Sequence, residues 1–292
     1  MSARVRNLLG IHVAVLLFGF AGLFGDARLL PLTAGGVGFK RSILLVFGRV
    51  GFASLALLLA ALIRRDILRP LSRRSLLAFA ALGVLLAGHW TTFFQSVQTG
   101  GVAVALITYS TFPVFVAFLE PLFFRAKWQT SDVVLAALAL AGVAILTPRF
   151  EPRDRATQGV LWGIASGLTF ALLSLLNRRF VRHHASITIA FYQDLFAGAA
   201  LLPFAVTNWP ALTLRDVLLL GVLGVLCTAV AHSLFIAGMQ GISARTASRI
   251  ACLEPVYGIL LALLFLHEMP TLRTVLGGIL ILGVAFHATL KG

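Results

Sequence analysis

Ten apolar stretches of near-bilayer length, separated by short basic or proline-bearing links, constrain this 292-residue chain more than any other feature. They fall near 8–25, 44–62, 76–98, 102–124, 133–148, 159–177, 187–207, 217–239, 244–266 and 273–290. A helix rises about 1.5 Å per residue, so roughly 20 apolar residues match a hydrocarbon layer of about 30 Å. Every backbone N–H and C=O inside that layer needs a partner within the chain, which makes helices the solution for apolar runs this long. Only 12% of the residues are charged and 59% are hydrophobic, whereas a water-soluble domain carries about 25% charged residues. The expected fold is an all-α membrane protein with ten transmembrane helices.

The net charge of +14 raises nucleic acid as a partner. The basic residues instead lie in short runs between apolar stretches, such as RRDILRPLSRR (64–74) and NRRFVRHH (177–184), where they meet anionic lipid head groups. Membrane lipids are therefore the expected contact, and nucleic acid is not. Cys227 and Cys252 both sit inside apolar stretches, so no disulfide framework, metal site or cofactor is expected. The basic, then apolar, N-terminus has no small-x-small cleavage site and reads as an uncleaved first span.

Loop charges set the expected orientation. With a cytoplasmic N-terminus, fifteen Lys and Arg, including Arg4, Arg64 and Lys291, fall on the cytoplasmic side against eight on the other, which places both termini inside. The expected location is a bacterial inner membrane.

The chain also repeats itself. Residues 82–114 run parallel to 223–256, matching Gly83 to Gly224, Gly100 to Gly241 and, after one inserted residue, Pro113 to Pro255. Two five-helix repeats follow, over 1–150 and 151–292. An odd number of spans per repeat inverts the second copy, and the loops agree: 64–74 carries five arginines and its counterpart around 208–216 carries one. Inverted repeats place a substrate site near the bilayer midplane, between the halves.

An ionised group at mid-bilayer costs on the order of 2.5–3.5 kcal/mol even on lenient insertion scales, so such residues mark a protein interior or a wet cavity. The fifth and tenth stretches are almost free of them and belong at the lipid-facing periphery. Polar and charged residues gather elsewhere: Arg49, His89, Trp90, Gln95, Tyr109, Tyr192, Gln193, Asp194, His232, Arg249, Glu254 and Tyr257. His89 and Phe93 share one helix face at i, i+4. Pro255 has no N–H for the carbonyl of Ala251, so the ninth stretch is expected to loosen there and expose a backbone acceptor. Glu254 is expected to need a cavity or a cation, with Arg49 or His232 the better-placed partners than Arg249. A purely structural ion pair remains open for Glu254, and a packing role for His89, His232 and Asp194.

Signs of an enzyme are missing from the sequence. GIASG (163–167) has the wrong spacing for a nucleophile elbow, HEMPT (267–271) lacks the second zinc histidine, and GGVGFK (35–40) follows no strand.

The five-plus-five repeat, FPVFVAFLEP (112–121), LEPVYGILLALLFLHE (253–268) and the closing LGGILILGVAF (276–286) resemble the EamA-type drug/metabolite transporter superfamily. The likeness covers essentially the whole chain and, within the superfamily, is similar to the bacterial aromatic amino acid exporters of the YddG type. The first half departs from the pattern, with Ala126 and Lys127 where the second has Glu268. The resemblance implies a basket of helices around a central cavity, alternating access, and export of aromatic and other neutral amino acids.

An amino acid zwitterion wants donors, which His89, Gln193, His232 and Arg249 supply, and acceptors, which Glu254, Asp194 and the Ala251 carbonyl supply. Phe93, Tyr109, Trp162, Tyr192 and Tyr257 are the candidates for stacking. Arg49, Asp194, Pro113 and Pro255 are the candidates for gating or helix pairing. The same inventory accommodates an exporter of cationic drugs or other small metabolites.

Overall fold

The computed structural model describes residues 3–32, 38–64, 71–124, 130–147, 150–180, 184–241 and 250–291. Among these residues all regular structure is helical. The helices are α1 (Ala3–Leu23), α2 (Phe39–Arg64), α3 (Arg73–Tyr109), α4 (Phe112–Phe124), α5 (Thr130–Leu146), α6 (Arg155–Phe180), α7 (Ser186–Asn208) and α8 (Leu214–Gly224). A π-helical turn (Val225–Val230) joins α8 to α9 (Ala231–Gly241), and α10 (Glu254–Leu266) and α11 (Leu272–Lys291) close the chain. Six rods are long and apolar enough to cross a bilayer by length and composition: Val5–Leu23, Phe39–Ile63, Arg73–Tyr109, Arg155–Asn177, Ser186–Asn208 and Leu214–Gly238. Phe112–Phe124, Thr130–Leu146, Glu254–Leu266 and Leu272–His287 are apolar but shorter. Large apolar side chains such as Ile63, Leu77, Leu140, Val206 and Leu264 point outward, a surface that suits acyl chains and not water.

Two of the apolar stretches are not the single rods that hydropathy predicts. The third and the first part of the fourth fuse into α3, which bends at Gly101, where φ is 85° and ψ 169°. That left-handed φ strains any residue with a Cβ. The fourth stretch then breaks at Ser110–Thr111 before α4 begins. The ninth is interrupted likewise, with a turn at Cys252–Leu253 and a new helix from Glu254. Pro255 therefore does not kink a continuous helix, as the sequence suggested. It occupies the first turn of α10, as Pro113 does in α4, a position where its missing N–H costs nothing because no intrahelical acceptor waits for it.

Small residues decide how closely the rods approach. Gly159, Gly163 and Gly167 recur every fourth residue and form one face of α6. A Cβ on Gly159 would lie 2.6 Å from the Gly100 Cα, one on Gly163 would lie 1.8 Å from Thr108 Oγ1, and one on Gly167 would lie 2.8 Å from the Tyr109 carbonyl. This face lets α6 lie flush against both limbs of bent α3. Gly19 of α1 meets Gly258 of α10 in the same manner. α5 and α11 pair through Gly142 and Gly277.

Candidate functional site

Between these rods lies a cavity of about 650 Å³, including its open end. Its walls are aromatic, with Phe18, Trp90, Phe93, Tyr109, Phe170 and Phe235, and its polar groups are Arg49, His89, Ser174, Asn177, His232 and Glu254. α6 contributes Phe170, Leu173, Ser174 and Asn177, a single face that begins about 22 Å along that helix from Arg155 at 1.5 Å per residue. The cavity thus occupies the middle and the far half of the bundle, away from the α6 N-terminus.

Arg49 is fully enclosed on α2, and the π-helical turn is what receives it. In that turn the ladder is widened, with the Ala231 N–H reaching the carbonyl of Leu226. Thr228 Oγ1 donates to the Leu223 carbonyl at 2.8 Å and accepts from Arg49 Nε at 2.9 Å. Arg49 Nη2 reaches the Cys227 carbonyl at 3.4 Å. π-turns recur at functional sites because they re-aim groups that an α-helix would use internally. The guanidinium also lies 3.9 Å from the centroid of the Trp90 ring, a cation–π contact strengthened by exclusion of water.

Across the cavity, Glu254 sits in the first turn of α10, where free backbone N–H groups and the helix dipole favour an anion. The Tyr109 hydroxyl hydrogen-bonds its carboxyl, and Arg49 lies within electrostatic reach. Arg49 is thus a long-range counter-charge and Tyr109 the direct partner, a refinement of the pairing expected from sequence. Tyr109 is itself framed by Phe93, Phe112, Phe170 and His89. His89 is pinned to α6: Ser166 Oγ and the Ser166 carbonyl both lie 3.0 Å from its Nδ1.

Behind His232, Asp194 on α7 is 0% exposed, and its Oδ1 lies 3.9 Å from His232 Nδ1. Gln193 beside it donates to Asn177, which carries that residue's influence to the cavity wall.

The structure therefore brings His89, Phe93, Tyr109, His232, Glu254 and Arg49 to one cavity. It places other expected residues elsewhere. Trp162 stacks on Phe39 with centroids 5.4 Å apart, and Tyr192 stacks on Phe79 at 5.8 Å. Tyr257 packs where α10 crosses Gly19 of α1. Gln193 and Asp194 lie one layer behind the wall, Pro113 and Pro255 open helices, and Arg249 lies outside the described residues. Sequence reasoning missed Phe18, Phe170, Ser174, Asn177 and Phe235 as lining. Positions 170, 173, 174 and 177 do share one helical face, and Asn177 is a polar residue at the end of an apolar run; together these were the available signal.

At the other end the described residues pack closely. Gly25 lies against Phe94 and Val97, where a Cβ would come within 2.8 Å of Val97 Cγ1. Ser42 Oγ donates to Gln95 at 3.0 Å. Three arginines bind the α1–α2 link: Arg41 donates to the carbonyls of Gly25 (2.7 Å), Leu30 and Pro31, Arg215 to Leu29 (3.1 Å) and Arg28 to Leu266 (2.7 Å). Arg28 also grips Asp26 through Nε and Nη2. Burial raises the Asp26 carboxyl, but hydrogen bonds from the Arg28 side chain and backbone, with attraction from Arg28 and Arg41, outweigh it and hold the group below its ordinary value of 3.8. The α3 bend adds two more donors, the N–H groups of Val102 and Ala103, each of which reaches a Glu268 oxygen at 3.2 Å.

A helical bundle with several rods long and apolar enough to cross a membrane, built around a polar and aromatic cavity, defines a class of small-solute transport proteins. Residues 7–147 and again 157–289 match the EamA-like transporter family, and the chain belongs to that family. An uncharacterized transporter of Archaeoglobus fulgidus is 30% identical over 241 residues, covering 81% of this chain and 82% of that one. A protein of Rickettsia bellii described as an S-adenosylmethionine uptake transporter is 23% identical over 201 residues, 68% of each chain. A solved crystal structure superposes with a TM-score of 0.67 over 99% of this chain and 97% of that one at 20% identity, a likeness of fold alone. The protein is thus a multi-pass membrane transporter acting on small molecules.

Proposed function

We propose that the chain exports aromatic and other neutral amino acids by alternating access, through ten spans arranged as two inverted repeats over 1–150 and 151–292. One observation carries the substrate reading: a buried guanidinium, Arg49, and a buried carboxyl, Glu254, stand on different helices across a cavity walled by six aromatic rings. A zwitterion meets both charges at once, its carboxylate at Arg49 and its ammonium at Glu254, while an aromatic side chain packs among Phe18, Phe93, Phe170 and Phe235. A single-charged solute would leave one of the two uncompensated in a medium where that costs several kcal/mol.

The repeat is supported by the twofold match to one family model and by the helix restarts at Pro113 and Pro255. Termini on the cytoplasmic side are supported by the basic links, since Arg28, Arg41 and Arg215 at the end away from the cavity are consumed by backbone carbonyls. In that orientation the cavity opens inward in a bacterial inner membrane, ready to load a solute for export.

A second reading has its own support. Two carboxyls, Asp194 and Glu254, share Arg49 as their nearby permanent cation, and the Rickettsia relative is described by a sulfonium-bearing solute. A cation would bind Glu254 among the rings.

Counterflow in proteoliposomes decides between them. Phenylalanine, tryptophan, leucine, S-adenosylmethionine and a quaternary ammonium dye are compared, with Glu254→Gln alongside. The expected result is exchange of the neutral amino acids, reduced at least about tenfold by Glu254→Gln at unchanged protein yield, for a lost charge contact of about 1.4 kcal/mol or more. Exchange of the cations only, or full flux in the variant, sinks the zwitterion reading.

A further inference from the structure

The geometry points to a proton-binding site that is distinct from the solute contacts: Asp194 and His232 together hold one exchangeable proton drawn from the cavity. This goes beyond the solute reading above and does not depend on it.

Three polar atoms here are buried without a hydrogen-bond partner, namely both carboxyl oxygens of Asp194 and Nδ1 of His232. Buried polar groups are almost always paired, and one left alone in apolar surroundings costs about 1–3 kcal/mol. These three face one another, with Asp194 Oδ1 and His232 Nδ1 3.9 Å apart, so a small side-chain rotation closes the gap to the usual 2.7–3.2 Å. A single proton between them satisfies oxygen and nitrogen together. Among the described residues, the hydrogen bonds of the nearest polar groups run elsewhere: Gln193 donates to the Asn177 side-chain oxygen, and Arg49 Nε and Nη2 point to Thr228 and the Cys227 carbonyl.

The two residues also stand in series. His232 lines the cavity and Asp194 does not, so a proton arrives from cavity water at the imidazole and passes from Nδ1 to a carboxyl oxygen. One N–H or O–H bond forms as another breaks, and nothing is oxidised or reduced. The charged and titratable neighbours are Arg49 on α2, His89 on α3, Cys227 of the π-turn and, beyond Arg49, Glu254 on α10 with Tyr109. Arg49 lies within electrostatic reach of both Asp194 and Glu254, which couples the charge on the pair to whatever occupies the cavity. The two groups titrate as a unit.

Trp90 reports on this pair directly, because its ring lies 6.1 Å from the His232 ring and against Arg49. The chain has four tryptophans, so Trp128→Phe, Trp162→Phe and Trp209→Phe leave Trp90 as the sole emitter. In detergent without any solute, its emission is expected to follow one proton between roughly pH 4 and 10. Asp194→Asn and His232→Gln should each abolish that transition or move it by about one pH unit or more. If the triple variant fails to fold, carbon-13 labelled histidine in the otherwise native protein reads the same titration by NMR, with His232→Gln assigning the signal. An emission or resonance that is flat over the range, or a transition that survives both substitutions in place, overturns the proposal. Neither readout uses a transported solute, so a failed counterflow experiment leaves this test intact.

Discussion

Replacing Glu268 by alanine should destabilise the protein by removing the acceptor for two backbone N–H groups at the α3 bend. The bend at Gly101 starts a new helical limb, and the first N–H groups of such a limb have no intrahelical acceptor. One carboxylate answers two of them, Val102 and Ala103, both at 3.2 Å, and stands 3.9 Å from Arg28 Nη2. A hydrogen bond to a charged group contributes about 1.5–3 kcal/mol. Both bonds here are long and the Glu268 side chain is 19% exposed, so each contributes about 1–1.5 kcal/mol, at or below the lower limit of that range and in line with about 0.5–2 kcal/mol for losing an N-cap.

Glu268→Ala should therefore cost about 2–3 kcal/mol, and Glu268→Gln, which keeps one acceptor oxygen, about half. At roughly 2–4 °C per kcal/mol for a chain of a few hundred residues, Tm falls by about 4–12 °C for alanine. Thermal unfolding in detergent, followed by circular dichroism, measures both. Wild-type-like melting of Glu268→Ala, or glutamine as damaging as alanine, would refute the capping account.

Further outcomes rest on packing and on charge. Gly163→Ala should cost about 1–3 kcal/mol, because its Cβ would overlap Thr108 Oγ1. Gly51→Ala, on an open helix face with nothing within 4 Å, should instead gain up to about 1 kcal/mol; paired melting curves distinguish them, and equal effects would remove the close-approach argument. Asp26 is held below its ordinary 3.8, so its stabilisation is complete above that value and is lost as pH falls through the lower folded one. The Tm difference between wild type and Asp26→Asn should therefore shrink on acidification below about pH 4 and stay constant from pH 5 to 7; a difference that grows in acid has the wrong sign for this ion pair.

Much of the site was legible in the sequence because the bilayer makes polarity expensive. Arg49, His89, Tyr109, His232 and Glu254 each stood out as costly in an apolar stretch, and one cavity gathers all of them. Trp162 and Tyr192 stood out for the same reason but stack on Phe39 and Phe79 instead. Aromatic rings satisfy themselves against any neighbour, so their presence in a span does not say which way they face. Phe18, Phe170 and Phe235 went unnoticed because in a helix that is apolar all round the inward face carries no distinguishing period.

The sequence by itself determined the class of fold, since stretches of bilayer length with few charges leave helices as the means of satisfying the backbone. It also put Pro113 and Pro255 at matching positions of two similar stretches, though not the fact that each opens a helix. Only the tertiary structure decided where those helices break, which rings wall the cavity, that Glu268 serves a bend more than 160 residues away, and that Asp194 and His232 face each other unpaired. The physical reason is that these outcomes depend on close approach between distant segments, set by glycine faces such as 159–163–167 and by which polar atoms find partners. Neither quantity is written in the hydropathy of any one stretch.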